Sequence, residues 1–524
     1  MSKKIISQLI LPSGGLIPNP NPDYIPLMKI ILTCFALVTA SVSLLNKAYA
    51  DNAAIDAPKA SETTASTITT SDIGDWRLEN GLRVIHVPMH HTPAVSVHVW
   101  YHTGSKNERV GIRGIAHLFE HMMFKGSKHL APEKYAQYIS AVGGDSNAFT
   151  SQDVTAYHQE VPKAHLEKVL ELEAERMANL TISEKTIASE REVVKEEKRL
   201  RMENSPIGRA LEALYDLAYT THPYRWTPAG NMKDLANITI ADCEAFYCTH
   251  YRPNNATLIV AGDVDESTLR KLALTYFGPI SGSSPHSTCP PQPQSGSQPS
   301  TQAGRRSGTV DIEDTGIPQE PAPTGPKIKR ADWPSQVPVV IGGYPIPPAK
   351  HVDMAAIEVL SYILSSGQSS RLHKALVRKE RIAMAAGGFA RDMEHRGLFL
   401  VYAIGLPTSS TEALVEALDA QIARVRKNGV SANDILKAKN QLATNFLEQL
   451  ETIDGVAEEI GRSTYVLGDP TAFMRYASRL QAVSADDVAR VANTYLNPNH
   501  ITRIDVPTAN QMQREKATSA SPQK

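Results

Sequence analysis

The second half of the chain repeats the first, and this duplication limits the folds that the sequence can adopt. Residues 124–127 correspond to residues 365–368, an offset of 241 residues, and residues 182–183 correspond to residues 430–431, an offset of 248 residues. Both halves also share the alternation of strand-like and helix-like segments. A repeat of this length indicates a duplicated domain rather than a short solenoid unit. We therefore predict an α+β protein with two similar domains.

The first half contains a pattern that is typical of a metal-binding helix. Residues 117–121 read His-Leu-Phe-Glu-His, so that His117 and His121 lie one turn apart on one helix face. Two neutral imidazoles suit zinc and leave a coordination position open for water. Glu120 stands beside the second histidine and can act as the general base of an inverted zinc-peptidase motif. The simpler alternative is an ordinary core helix with two half-buried histidines, since the neighbouring residues are apolar.

A third ligand is expected from the charged helix that Ser183 caps at its N-terminus. Glu190 and Glu197 are seven residues apart and share one face of that helix. Either carboxylate can complete a His/His/Glu zinc site, and the spacing excludes neither Glu192 nor Glu196.

The second half keeps the repeat but none of these candidate ligands. At the two offsets, the three motif residues and Glu197 correspond to Glu358, Ser361, Tyr362 and Asn445. We therefore expect the metal in the first half only.

The chain also shows signals for export and for a linker. Met28 begins a typical signal peptide, with an apolar run at residues 30–45 and a small-x-small cleavage site ending at Ala50. An uncleaved anchor in the membrane is the alternative. We predict six segments: a signal region (1–50), a disordered lead-in (51–71), the zinc-binding catalytic domain (72–280), a flexible Pro/Ser-rich linker (281–326), the metal-free homologous domain (327–507) and a tail (508–524).

The charge balance gives no support to a nucleic-acid partner. The 54 Lys and Arg balance the 55 Asp and Glu, so nothing in the net charge favours binding to phosphates.

Histidines gather around the third predicted strand, where a second metal site is possible but solvated side chains are the better interpretation. These are His86, His90, His91, His98 and His102.

Residues 145–158 read as a polar strand pair beside the motif helix. An exposed edge strand there can hold an extended peptide through backbone hydrogen bonds. An ordinary amphipathic strand explains the pattern equally well.

Three motifs together resemble the pitrilysin/insulinase family of zinc metallopeptidases, in the short branch with the mitochondrial processing peptidase and bacterial periplasmic members. They lie at residues 114–126, at Gly143-Gly144 with Asn147-Ala148, and at residues 190–197. The resemblance covers about residues 72–507. It implies antiparallel-rich sheets with helices packed on them, in two domains that face each other as a clam-shell chamber.

The resemblance also implies roles for single residues. Glu197, which lies 76 residues after His121, matches the third ligand of one zinc ion per chain, and Glu190 matches the carboxylate that supports the metal site. Asn147 and Ala148 match residues that contact the substrate backbone. Arg378 matches a substrate-gripping arginine, but the tyrosine that usually follows it is missing.

These observations predict an exported, periplasmic zinc endopeptidase that hydrolyses unfolded peptides or small precursor proteins. The missing tyrosine indicates a homo- or heterodimer, most simply with a paralogous chain that lacks the zinc motif, and the mature chain is expected to have no stable membrane span. The alternative is a non-catalytic structural or peptide-binding member of the family.

Overall fold

The computed structural model describes residues 72–282 and 316–519. The predicted signal region, the lead-in up to residue 71, residues 283–315 of the linker and the last five residues lie outside these ranges. No helix within the described ranges is long and apolar enough to cross a membrane.

The first half is built on a six-stranded mixed sheet. Its strands are β1 (Gly74–Arg77), β2 (Arg83–Pro88), β3 (Ala94–Tyr101), β4 (Asp145–Thr150), β5 (Thr155–Pro162) and β6 (Ala256–Gly262). The order across the sheet is β1-β2-β6-β3-β5-β4, and only β2 and β6 pair in parallel. The β1–β2 turn contains Gly81 at φ 91°, a conformation that favours glycine. Strand β4 forms one edge, so one of its sides has no strand partner in the sheet.

Eight helices belong to the described part of the first half. They are α1 (Ile115–Met122), α2 (Lys134–Ala141), α3 (Leu166–Asn179), α4 (Glu184–Lys198), α5 (Pro206–Ala218), α6 (Met232–Asn237), α7 (Ile240–His250) and α8 (Glu266–Phe277). Their apolar faces form a core against the sheet that includes Val97, Phe119 and Tyr247. Ser183 caps α4 as predicted, because its side chain accepts a hydrogen bond from the Thr186 N–H.

The second half repeats this arrangement with five strands. These are β7 (Lys327–Arg330), β8 (Val339–Ile346), β9 (Ala383–Arg391), β10 (Gly397–Gly405) and β11 (Thr502–Val506). Their order is β7-β11-β8-β10-β9, again with one parallel pair, β7 and β11. This is the order β2-β6-β3-β5-β4 of the first sheet, so the predicted duplication of an α+β domain is confirmed.

The helices of the second half are α9 (Met354–Ser365), α10 (Thr411–Asn428), α11 (Ala432–Gln449), α12 (Ile453–Arg462), α13 (Tyr476–Ala482), α14 (Ala485–Tyr495) and α15 (Ala509–Ser519). The last of these lies in the segment predicted as a tail. It is held by Arg330, whose Nε donates to Glu515 at 3.1 Å.

One helix of each half packs on the sheet of the other half. Helix α5 packs on β8 and β11, and α12 packs on β3 and β6. Ile453, Val456 and Ile460 of α12 thereby share a buried apolar cluster with Trp100 and Ile259 of the first sheet. The fit is close, since a Cβ on Gly461 would lie 2.1 Å from the Trp100 ring. The exchange joins the two halves directly.

A polar cluster anchors α12 to the first sheet. Asp454 Oδ1 accepts hydrogen bonds from His98 Nε2 at 2.8 Å, from His158 Nδ1 at 3.3 Å and from Ser96 Oγ at 3.0 Å. These four residues are called the Asp454 cluster. His86 and His98 are 2% and 1% exposed. The interpretation of the strand histidines as solvated is therefore wrong for these two.

The Asp454 cluster is a contact between the halves, and the donor atoms of His98, His158 and Asp454 also lie close enough together to hold a metal ion. The indole N–H of Trp100 donates to His98 Nδ1 at 3.3 Å. Burial lowers the pKa of His98 and so favours its neutral ring. With Nδ1 accepting from Trp100, Nε2 is the nitrogen that donates to Asp454.

Replacing Asp454 with asparagine is expected to lower the free energy of unfolding by about 2 kcal/mol, because an amide cannot accept three charge-assisted hydrogen bonds and buried His98 loses its ionic acceptor. Urea denaturation of the full chain measures the change. The exposed Asp332 offers a matched control, and Asp332→Asn should change stability by less than about 0.5 kcal/mol. Equal effects of the two substitutions would contradict the anchoring role.

Candidate metal centre

The motif helix α1 begins at a backbone turn that a buried carboxylate holds in place. Gly114, at φ 101°, precedes the helix. Glu108 accepts hydrogen bonds from the backbone N–H groups of Gly114 at 2.9 Å and Ala116 at 3.0 Å, and so caps the first turn. Glu108 is not predictable from the sequence, since a cap that lies seven residues before the helix follows no fixed spacing. The cap fixes where the metal-binding face begins.

Burial raises the pKa of Glu108 to about 8, against the two hydrogen bonds that lower it. The unfolded chain has a glutamate pKa of about 4.3. The folded state thus holds this proton more tightly, and the resulting stability is complete below about pH 4 and is lost as the pH rises through 8. We expect the difference in unfolding free energy between the native chain and Glu108→Gln to fall from pH 5 to pH 8, by at most about 1.4 kcal/mol per pH unit.

Urea denaturation with excess chelator measures this difference without metal linkage. The control is Glu79→Gln, at an exposed glutamate. If Glu108→Gln and Glu79→Gln show the same pH profile, the carboxyl group of Glu108 does not titrate in this range.

Three side chains from two helices converge beside α1. Glu197 Oε2 lies 3.7 Å from His117 Nε2 and 3.4 Å from His121 Nε2. These separations fit a tetrahedral zinc ion, whose ligands at about 2.0–2.1 Å lie roughly 3.4 Å apart. The donor set of two imidazoles and one carboxylate is also that of catalytic zinc sites. The residues therefore fit the metal that the motif predicts.

The charges within the group favour a cation. The hydrogen bond from His121 lowers the pKa of Glu197 to about 2, so that its carboxylate is ionised. Burial lowers the pKa of His117 to about 4, which keeps that ring neutral. Burial also disfavours a charge on His121, but the carboxylates of Glu190 and Glu197 raise its pKa to about 9. An ionised carboxylate therefore faces the Nε2 atoms of both imidazoles.

The structure distinguishes among the four carboxylates that the sequence spacing left as candidates for the third ligand. Glu197 faces both imidazoles, whereas Glu190 Oε2 lies 3.8 Å from His121 Nδ1, the nitrogen turned away from the convergence point. Glu192 and Glu196 are exposed and pair with Lys195 and Arg199. Only Glu197 is placed to be the third ligand.

Glu190 is placed to hold the ring of His121. Its side chain is 5% exposed, and Lys125 Nζ lies 3.6 Å from its other oxygen. Carboxylates in this position orient a ligating histidine. Glu190→Gln is expected to weaken zinc affinity about 10–100-fold, measured by competition with a chromogenic chelator. No change relative to Glu192→Gln would mean that Glu190 does not support the ligand.

Glu120 lies beside the three converging side chains and is held from β4. Thr150 Oγ1 donates to Glu120 Oε2 at 2.6 Å. Burial raises the pKa of Glu120, which this hydrogen bond opposes. A carboxylate with a raised pKa is a better proton acceptor near neutral pH.

A cleft of about 570 Å³ is lined by His117, His121, Glu197 and Glu120. Residues 147–150 of β4, the end of α4 and Pro228-Ala229 also line it. Asn147 is exposed on the edge strand β4, and Ala148 pairs with Tyr157 of β5. Both predicted substrate-contacting residues thus lie in the cleft, and all the lining residues within the described ranges belong to the first half. Arg378 is not among them; it is exposed on the turn His373–Lys379 and donates to Gln368.

The equivalent place in the second half carries a hydrogen bond instead of a metal site. Asn445 Nδ2 donates to the Tyr362 hydroxyl at 2.9 Å. These residues correspond to Glu197 and His121, so an amide–phenol pair joins the same two helices. Glu358, which corresponds to His117, contributes a carboxyl group whose pKa burial raises.

Two family models match the chain. Residues 83–227 match the family model described as insulinase (peptidase family M16), and residues 237–442 match the peptidase M16 inactive domain. The chain belongs to the M16 insulinase family. The predicted pitrilysin/insulinase resemblance is therefore confirmed, and the match to the inactive domain falls mainly on the half without ligands.

Relatives of this M16 chain are named as zinc proteases. It is 32% identical to the zinc protease PqqE of Helicobacter pylori over 428 residues, 82% of this chain and 91% of the relative. It is 26% identical to a probable mitochondrial-processing peptidase subunit beta of Arabidopsis thaliana, covering 80% of this chain and 75% of the relative. The crystal structure of a protease from Helicobacter pylori superposes with a TM-score of 0.74 at 31% identity, covering 83% of this chain and 99% of that one.

Proposed function

We propose that this M16 family member is a zinc-dependent endopeptidase that hydrolyses unfolded peptides or small precursor proteins. The observation that carries the proposal is the convergence of His117 Nε2, His121 Nε2 and Glu197 Oε2 in one cleft with Glu120. The same cleft is bordered by an edge strand. These features supply a metal site, a base and a surface for an extended chain.

Metal binding, proton transfer and positioning of the base would be carried out by different residues of the chain. When bound by His117, His121 and Glu197, zinc acts as a Lewis acid and makes water nucleophilic at neutral pH. Glu120 accepts the proton from the attacking water and transfers it to the leaving amine. Thr150 holds the Glu120 carboxylate in place during both transfers.

Substrate binding follows from the position of β4. Within the part of the chain that the structure describes, no strand pairs with its outer side, so an extended peptide can add there through backbone hydrogen bonds. Asn147 and Ala148 would contact that backbone. Backbone recognition selects unfolded chains, since a folded substrate has already paired its own backbone groups.

Hydrolysis of a quenched, unstructured peptide by the zinc-loaded full chain tests the proposal. Activity should disappear with a zinc chelator and return when one equivalent of zinc per chain is added. A zinc-loaded protein that binds such peptides without cutting them would instead support the alternative, a non-catalytic peptide-binding member. Zinc content of the purified protein distinguishes that member from a purely structural one.

We further propose that activity requires a partner chain. Arg378 lies on an exposed turn, and among the described residues none of the second half lines the cleft. A partner chain would therefore complete the substrate clamp. A relative is named as a subunit beta of a processing peptidase. A paralogous chain without the zinc motif, or a second copy, would supply the missing surface. Full activity of an isolated monomer, measured by sedimentation and assay on one sample, would overturn this.

We propose that the protein is exported to the periplasm. The predicted signal region ends at Ala50, directly before Asp51. Cys248 is disulfide-bonded, whereas Cys243 is free and buried. Disulfides persist in oxidising compartments. N-terminal sequencing of the periplasmic protein should begin at Asp51; recovery of the protein only with the membrane fraction would favour an uncleaved signal.

A further inference from the structure

Arg201 lies in the cleft next to the proposed metal ligands. Helix α4 is followed by a π-helical turn, Arg199–Glu203, that carries this side chain to the cleft wall. Helix α5 packs closely against the backbone of this turn. The contact leaves no room for a side chain, since a Cβ on Gly208 would lie 2.3 Å from the Arg201 carbonyl oxygen. The position of Arg201 is therefore built into the fold.

One edge of the Arg201 guanidinium is occupied and the rest is open. Its Nη1 lies 2.7 Å from Glu197 Oε1, the oxygen that does not face the imidazoles, while its side chain remains 66% exposed. A guanidinium has five N–H donors and binds carboxylates in a two-pronged geometry. Its remaining donors are thus available to a group that enters the cleft.

The other charged side chains of the cleft wall already have partners. The carboxylates of Glu120 and Glu197 belong to the metal centre. Lys198 is 6% exposed and its Nζ pairs with Glu212. Among the described residues that line the cleft, Arg201 is therefore the cation that solvent and substrate reach.

We propose that Arg201 determines specificity, and that the enzyme prefers peptides with an aspartate or glutamate next to the scissile bond. This inference rests on the proposed peptidase function and names its substrate class. A peptide carboxylate would bind the open edge of the guanidinium beside the metal centre. A lysine or arginine at that position would be repelled.

A purely supporting role is the alternative, in which Arg201 only orients Glu197. That role predicts weaker zinc binding in Arg201→Gln and equal losses for all peptides. Substrate recognition predicts a change in the ratio between peptides. The two roles are thus separated by selectivity rather than by activity.

The test uses three unstructured peptides that differ at one central position, which holds glutamate, glutamine or lysine. Dissociation constants are measured by fluorescence anisotropy with the zinc-loaded full chain carrying Glu120→Gln, and kcat/KM is measured with Glu120 intact. Each assay compares Arg201, Arg201→Gln and Arg201→Lys. Arg199→Gln is the matched control, because Arg199 lies on the same turn, pairs with Glu196 and does not line the cleft.

We expect the native chain to bind the glutamate peptide about tenfold more tightly than the glutamine peptide, the size of one charge-assisted hydrogen bond in an accessible cleft. Arg201→Gln should abolish this ratio, Arg201→Lys should keep part of it, and Arg199→Gln should leave it unchanged. The ratio should also shrink at high salt.

A ratio that survives Arg201→Gln, or that Arg199→Gln removes equally, would overturn the proposal. If Arg201→Gln loses zinc, the decision rests on Arg201→Lys, where a zinc-loaded protein without any preference would also overturn it. If the native chain cuts none of the peptides but still prefers the glutamate peptide in binding, the specificity proposal stands and the endopeptidase proposal fails.

Discussion

Replacing Glu120 with glutamine is expected to reduce kcat/KM for an unstructured peptide about 10²–10⁴-fold while the chain keeps its zinc. The amide preserves the shape of the side chain, and its carbonyl oxygen can still accept the hydrogen bond from Thr150. It cannot take a proton from water or return one to the leaving amine, and such transfers contribute about 10²–10⁴-fold to hydrolysis. Peptide cleavage and zinc stoichiometry are measured on the same preparation.

Glu133→Gln is a suitable control, since Glu133 is exposed and pairs with Lys125 outside the cleft. It should retain nearly full activity. Retention of more than about a tenth of the activity in Glu120→Gln would exclude Glu120 as the base. Loss of zinc from that variant would instead show that Glu120 helps to hold the metal.

Replacing Glu197 with glutamine is expected to weaken zinc binding about 10²–10³-fold and to abolish hydrolysis at limiting zinc. Zinc sites with about four ligands bind with roughly 10–16 kcal/mol, so that one ligand accounts for about 3–4 kcal/mol. The variant also loses the negative charge that faces both imidazoles. Zinc affinity is measured by competition with a chelator of known affinity.

Glu196→Gln provides the matched comparison for Glu197. Glu196 precedes it on the same helix, is 68% exposed and pairs with Arg199. Its replacement should leave zinc affinity within about twofold. Equal effects at the two positions would show that general charge, rather than coordination, accounts for the loss.

The candidate site was largely predictable because its geometry is local. His117 and His121 are four residues apart on a helix, and helical periodicity alone places both rings on one face. The duplication was predictable for a similar reason, since turn and cap residues such as Ser183 recur at matching positions. Glu108 and Arg201 were not found, because a distant cap and an exposed cation follow no recognisable spacing.

The sequence by itself determined the helix that carries His117 and His121, the position of Glu120 beside them, the repeated α+β domain and the half that holds the candidate ligands. These follow from short-range periodicity and from comparison of the chain with itself. Only the tertiary structure decided which carboxylate meets the imidazoles, that α5 and α12 cross to the opposite sheets, and that Arg378 lies away from the cleft. An amphipathic pattern shows that a helix has an apolar face, but not which sheet covers it. That choice depends on packing between segments far apart in sequence, as the contact between Asp454 and His98 illustrates.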